Sequence, residues 1–198
     1  MLFSSILSKG SCLFEFKAST AFTVTRNNTL LFAMRNKGFL KFDINTEKFS
    51  AIPVNPKNDF GVIAMEEDKA GSLWTAMAGR GIIKFDQSGK MTDSVNSSNG
   101  LIIDNLSSLK IDARGYIWAG SREGLVFMEP ITKNITKVEI DLGQTLQDYW
   151  NTINIYNGKV YAVMLDHIVE IDPMLFEAVH VKSAPHITSI KIFDNDLT

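Results

Sequence analysis

The 198-residue chain has one cysteine, Cys12, so it can form no internal disulfide and no multi-cysteine zinc site. It has no apolar run near the ~18 residues that a membrane-crossing helix needs. The apolar stretch before KGSC (Lys9 to Cys12) is too short for a signal peptide, and Lys9 interrupts it, so Cys12 is not read as a lipidation site. Basic charge is not in excess either. Lys and Arg number 20 against 22 Asp and Glu, a net charge of -2, which gives no bulk attraction to nucleic acid or an anionic membrane. The three histidines, His167, His180 and His186, lack metal-ligand spacing and any nucleophile–base arrangement. What remains is an ordinary globular composition, 45% hydrophobic and 21% charged, able to build a core.

An internal repeat organises the chain. GFLKFD from Gly38, GIIKFD from Gly81, GLVFME from Gly124 and HIVEID from His167 start 43 residues apart each time. Six or seven residues before each start lies an aromatic (Phe32, Trp74, Trp118, Tyr161) that follows an aliphatic residue. Before that aromatic comes a turn-rich tetrad, RNNT from Arg26, DKAG from Asp68, ARGY from Ala113 and YNGK from Tyr156. Short apolar segments precede the tetrads: FTVT from Phe22, VIAM from Val62, LSSLKI from Leu106 and NTINI from Asn151. Gly, Asn and Asp at the turns, between short segments rich in Val, Ile, Thr and aromatics, spell β-hairpins. Further segments, EKFSAI from Glu47, GKMTDSV from Gly89, KNITKVEI from Lys133 and EAVHV from Glu177, make a fourth strand per unit.

Four strands in about 43 residues, without helical periodicity, predict an all-β protein, a β-propeller of four four-stranded blades. The blades are expected at about 20–57, 58–98, 99–143 and 144–183. Residues 1–19 then belong to a preceding blade, and 184–198 begin a following domain or close the sheet. Four copies and the leftover half-sets, LFEF from Leu13 and HITSIKI from His186, favour an arc or fragment of a larger ring.

The stretches EEDKAGSLWTAMAGRGIIKFD (Glu66 to Asp86) and NGLIIDNLSSLKIDARGYIWAGSREGLVFME (Asn99 to Glu129) resemble the two-component regulator propeller repeat. Shared features are a Gly-Leu pair, a short strand, Asp-x-x-Gly, an aliphatic residue before Trp, and a closing acid. Similar repeats form the extracytoplasmic sensor regions of hybrid two-component histidine kinases of Bacteroidetes. There two seven-bladed propellers precede a Tyr-rich immunoglobulin-like domain, a membrane helix and the kinase. The resemblance covers about residues 20–196 and is strongest in the second and third copies. In the fourth, His167 and Tyr161 replace Gly and Trp. APHITSIKIFDND (Ala184 to Asp196) is similar to the first strand of the immunoglobulin-like domain.

The resemblance implies a noncatalytic, periplasmic sensor segment without cofactor. Its partners would be an oligosaccharide, the remaining blades and immunoglobulin-like domain of the same receptor, and a second copy in a homodimer. A structural propeller without small ligand is one alternative. A metal-dependent lyase like those that open streptogramins, with His167 on one face, is another.

The residues themselves offer few chemical sites. AGRG (Ala78 to Gly81) lacks the strand-to-helix context and the Lys-Ser/Thr of a phosphate loop, so it is read as a turn. Asp43, Asp86, Glu129 and Asp172 recur at one place in each unit, two of them before Pro130 and Pro173, and are read as turn-forming. Trp74 and Trp118 are read as packing anchors between blades. Arg35, Arg80 and Arg122, in the loops between second and third strands, would put three guanidinium groups on one face. They are the candidate ligand contacts, since Arg suits carboxylate and sulfate recognition. No catalytic or metal-binding residue is expected.

Overall fold

A computed structural model of the chain describes residues 5–8, 11–14, 19–35, 38–54, 61–138, 152–163, 168–176 and 191–192. A hairpin of β1 (Ser5–Ser8) and β2 (Ser11–Phe14) comes first. The first sheet holds β3 (Ser19–Val24), β4 (Thr29–Met34), β5 (Gly38–Asp43) and β6 (Lys48–Ile52). The second holds β7 (Val62–Glu67), β8 (Leu73–Met77), β9 (Gly81–Phe85) and β10 (Met91–Val95). The third holds β11 (Leu106–Ile111), β12 (Ile117–Ser121), β13 (Gly124–Met128) and β14 (Ile135–Val138). The fourth holds β15 (Thr152–Tyr156), β16 (Lys159–Val163), β17 (Ile168–Ile171) and β18 (Lys191–Ile192). Every pairing is antiparallel between strands consecutive in the chain. Among the described residues the only helical pieces are two 3₁₀ turns, Ser97–Asn99 and Pro173–Phe176. The four expected four-stranded sheets are present.

Three cores join the sheets face to face. Leu31, Ala33 and Phe39 of the first sheet meet Met65, Leu73, Met77, Ile83 and Phe85 of the second. Trp74, Ala76, Ile82 and Val95 of the second meet Leu109, Ile117, Ala119, Val126 and Met128 of the third. Trp118, Leu125, Phe127 and Val138 of the third meet Ile153, Val160, Ala162, Val169 and Ile171 of the fourth. Sheets two and three are covered on both faces, so β8, β12 and β13 are buried at every position. That double burial explains their continuous apolar runs, where a one-sided sheet would alternate.

Trp74 and Trp118 do lie in these cores, among the largest fully buried side chains. The equivalence drawn for Phe32 needs correction. Trp74 pairs across its hairpin with Lys84, and the residue pairing with the matching Lys41 is Leu31. Phe32 pairs with Leu40 and stacks loosely on Phe22, on the opposite face of the sheet. The reason is hairpin length. Three residues separate β4 from β5 and β8 from β9, but two separate β12 from β13, so counting back from the glycine slips by one residue. In a strand a one-residue slip exchanges faces.

Two further readings concern the chain's end. EAVHV lies outside the described residues. Lys191–Ile192, inside the 184–198 segment, pairs with Glu170 and Val169 as the outer strand of the fourth sheet.

Candidate functional site

Each meander has two rims. The turns joining first to second and third to fourth strands lie on one rim, and the hairpin joining second to third lies on the other. The faces between adjacent sheets are spent on stacking, which leaves the rims to carry exposed polar groups.

On the first rim, an aspartate clasps the turn and the tryptophan together. Asp112 Oδ1 accepts backbone N–H groups from Arg114, Gly115 and Tyr116, while Oδ2 accepts the Trp118 indole Nε1–H at 3.0 Å and the Arg114 guanidinium at 2.7 Å. The Arg114 guanidinium in turn lies 4.5 Å from the Tyr116 ring centroid. Asp68 repeats the pattern, accepting from Ala70 N, Ser72 N and Trp74 Nε1. Burial pushes both carboxyls up, but these donors outweigh it and hold each below the usual Asp value, aided by Arg114 for Asp112 and Lys84 for Asp68. Lys84 also sits 4.8 Å above the Trp74 ring and 3.4 Å from Asp68 Oδ2. The Asp and the Trp six residues later are one structural unit, a link the sequence reading did not make.

The terminal acids are turn formers on the same rim. Asp43 Oδ1 accepts from Asn45 N and Thr46 N, and Asp86 Oδ1 accepts from Ser88 N and Lys90 N. Glu129 takes the Thr132 hydroxyl, and Asp172 accepts from Met174 N while pairing with Lys159. Each closes its own loop, so they do not share a pocket that could run acid–base chemistry.

Between the first and second sheets, this rim opens into a cleft of about 450 Å³. Arg26, Leu31, Lys41, Glu67, Asp68 and Gln87 are among its lining residues. The sequence carries one sign of it: where the second copy has DKAG from Asp68, the first has RNNT from Arg26 and no Asp-x-x-Gly. That sign became readable only once the hairpin register showed which residues stand in the clasp's place.

The opposite rim carries the three arginines singled out from the sequence. Arg35 and Arg122 are exposed and Arg80 is half-buried, each in the hairpin between second and third strands. None of them lines the inter-sheet cleft. The loop after β10 braces this rim, with Asn105 Oδ1 accepting from Gly79 N and Asp104 O from Gly81 N. His167, His180 and His186 lie outside the described residues. Among the described residues no three His, Cys, Asp or Glu side chains converge as a metal site would require, and no helix is long and apolar enough to cross a membrane.

No protein-family model matches the chain, and no curated protein matches it. Solved structures do. The extracellular domain assigned to the hybrid two-component system BT3049 from B. thetaiotaomicron superposes with a TM-score of 0.69 at 16% identity over 96% of this chain. That assigned to the hybrid two-component system BT4673 from the same organism gives 0.63 at 17% identity over 84%. The WD40 repeats of RRP9 give 0.61 at 11% identity, matching 85% of this chain and 50% of theirs. The chain spans about a quarter of the length of the two Bacteroides domains, 25% and 26%. At such identities the likeness is one of fold: the chain is a run of β-propeller blades similar to those in bacterial two-component sensor domains.

Proposed function

We propose that the chain is a noncatalytic segment of the periplasmic sensor region of a hybrid two-component histidine kinase, and that the sensor recognises an oligosaccharide released from a polysaccharide. The observation that carries this reading is the fold likeness to the extracellular domains assigned to hybrid two-component systems, which agrees with the repeat motif around Asp68 and Asp112. The turn-bound acids support the noncatalytic part, since Asp43, Asp86 and Asp172 already hold backbone N–H groups of their own turns and Glu129 holds the Thr132 hydroxyl.

In this reading the segment contributes blades, and its first sheet takes a further blade on the outward face that bears Phe22 and Val24. The arginine rim of Arg35, Arg80 and Arg122 contributes charged contacts to a ligand or to the neighbouring domain. The test is a glycan-array screen of the complete receptor's sensor region and of this chain, with the recovered glycans analysed for cleavage. Saturable retention of one glycan class, returned intact, is the expected result. Retention of none by the receptor refutes the reading, as does release of cleaved product.

A further inference from the structure

We infer that the cleft between the first and second sheets is a binding site for a small acidic sugar, formed because the first blade has lost the clasp that fills the same place in its neighbours. The choice of a sugar rests on the sensor reading above; the site and its charge do not.

In the second sheet, Asp68, Trp74 and Lys84 form a closed group in which the carboxylate holds the indole N–H and the ammonium, and the ammonium lies over the ring. Register and turn bonding identify the same three positions in the first sheet. Leu31 pairs with Lys41 as Trp74 pairs with Lys84, and Thr25 N bonds Thr29 O as Asp68 N bonds Ser72 O. The group there reads Thr25, Leu31, Lys41. Leucine is smaller than tryptophan and presents no N–H, and threonine brings no charge, so the filler and the counter-ion are lost together. All three positions line the cleft that results.

The loss leaves two cations without an ion pair, although Lys41 still acts on the Asp43 carboxylate and the lining as a whole sets Arg26, Lys41 and Lys69 against Glu67, Asp68 and Asp86. Among the described residues neither the Arg26 guanidinium nor the Lys41 ammonium forms an ion pair. The cleft's other charges are committed. Asp68 and Asp86 serve their own turns, Lys69 Nζ donates to Ala113 O at 2.6 Å, and Glu67 Oε2 takes the Arg26 backbone N–H. What the cleft offers a ligand is two cations, the Gln87 amide oxygen (its nitrogen donates to Ala70 O at 3.4 Å), the second Glu67 oxygen, and apolar walls from Leu31 and Leu73.

Two cations call for a carboxylate or sulfate, which arginine in particular binds in a bidentate manner. The amide and carboxylate oxygens suit hydroxyl groups, and the leucines suit the C–H face of a ring. The opening of about 450 Å³ lies within the roughly 300–1,000 Å³ of small-molecule sites. A uronate or sulfated mono- or disaccharide supplies all three features.

The test is titration calorimetry of the 198-residue chain with digalacturonate, a sulfated N-acetylgalactosamine, lactose, and acetate and sulfate as bare anions. Saturable binding of an acidic sugar, at least tenfold tighter than lactose and the bare anions, is expected. Lys41→Gln and Arg26→Gln should each weaken it about tenfold. Leu31→Trp should refill the cleft and abolish it without lowering the thermal midpoint. Absence of binding by both acidic sugars, equal binding of lactose or a bare anion, or unchanged affinity in Lys41→Gln overturns the proposal. If the complete receptor retains an oligosaccharide whose affinity is unchanged by Lys41→Gln, this site falls and the sensor reading stands. If the receptor retains no glycan on the array yet the chain binds an acidic sugar through Lys41, the site stands and the sensor reading falls.

Discussion

At the scale of residues, the Asp–Trp clasp is the feature whose energetics are most concentrated. Asp112 satisfies three backbone donors, a buried indole and a guanidinium at once, so removing it strands several groups together. Breaking a charge-assisted network of this kind costs about 2–4 kcal/mol, which for a domain of this size lowers the thermal midpoint by roughly 5–15 °C. Asp112→Ala should show that loss by circular dichroism. The clasp also predicts a pH dependence. Because the folded carboxyl titrates below its ordinary value, its stabilisation is fully present above the unfolded pKa of about 4 and is lost as pH falls through the folded value. The wild-type midpoint should therefore drop between about pH 5 and pH 3, and more steeply than that of Asp112→Ala; parallel curves would assign the acid sensitivity elsewhere. Both tryptophans were legible in the sequence as anchors, since large aromatics at a repeated strand position point to packing. Their carboxylate partner was not, because a bond spanning six residues depends on how the intervening turn folds.

At the scale of elements, the glycine that opens the third strand of the first two sheets is set by close approach of backbone, whereas Gly124 in the third sheet faces only the Lys137 side chain. Gly81 has φ +73°, and a Cβ there would lie 2.2 Å from the Val95 carbonyl oxygen. Gly38, at the same place in the first sheet, has φ +85° and would meet Ile52 O at 2.5 Å. Gly115 also has positive φ, +99°, yet a Cβ there meets nothing within 4 Å. Gly115→Ala should therefore cost only the left-handed backbone penalty, about 1–2 kcal/mol, while Gly81→Ala adds a backbone clash and should cost about 3 kcal/mol or more. Urea unfolding of the two variants checks the order, and equal costs would contradict this packing. The 43-residue period, the strands and the hairpins could all be read from composition and spacing. The anchor of the first blade could not, since Phe32 and Leu31 are adjacent apolar residues and only the three-residue hairpin decides which faces the second sheet. The cleft was hidden for the same reason, as it depends on knowing that Leu31, and not an aromatic, fills the anchor position.

At the scale of the whole molecule, the two ends of the stack differ in chemistry. The fourth sheet turns a polar face outward, where Tyr161 Oη donates to Glu170 at 2.9 Å beside exposed Asn154 and Thr152. The first sheet turns outward the face whose counterparts are buried in the next sheet. Phe22 occupies the register position of Met65, which is 4% exposed in the core between sheets one and two, yet Phe22 itself is 65% exposed and Val24 58%. On that same face Leu40 and Phe42 are only 4% and 8% exposed, so the open part is the β3 strip of Phe22 and Val24; exposed apolar side chains there favour association, by burying apolar area against a further blade or a second copy. The double variant Phe22→Ser, Val24→Thr should reduce self-association in light scattering at matched concentration. Because these side chains are already exposed, it should change unfolding free energy by less than about 0.5 kcal/mol. A loss of about 2 kcal/mol or more would instead mean that the chain covers this face itself, and the first sheet would then be a true end of the stack.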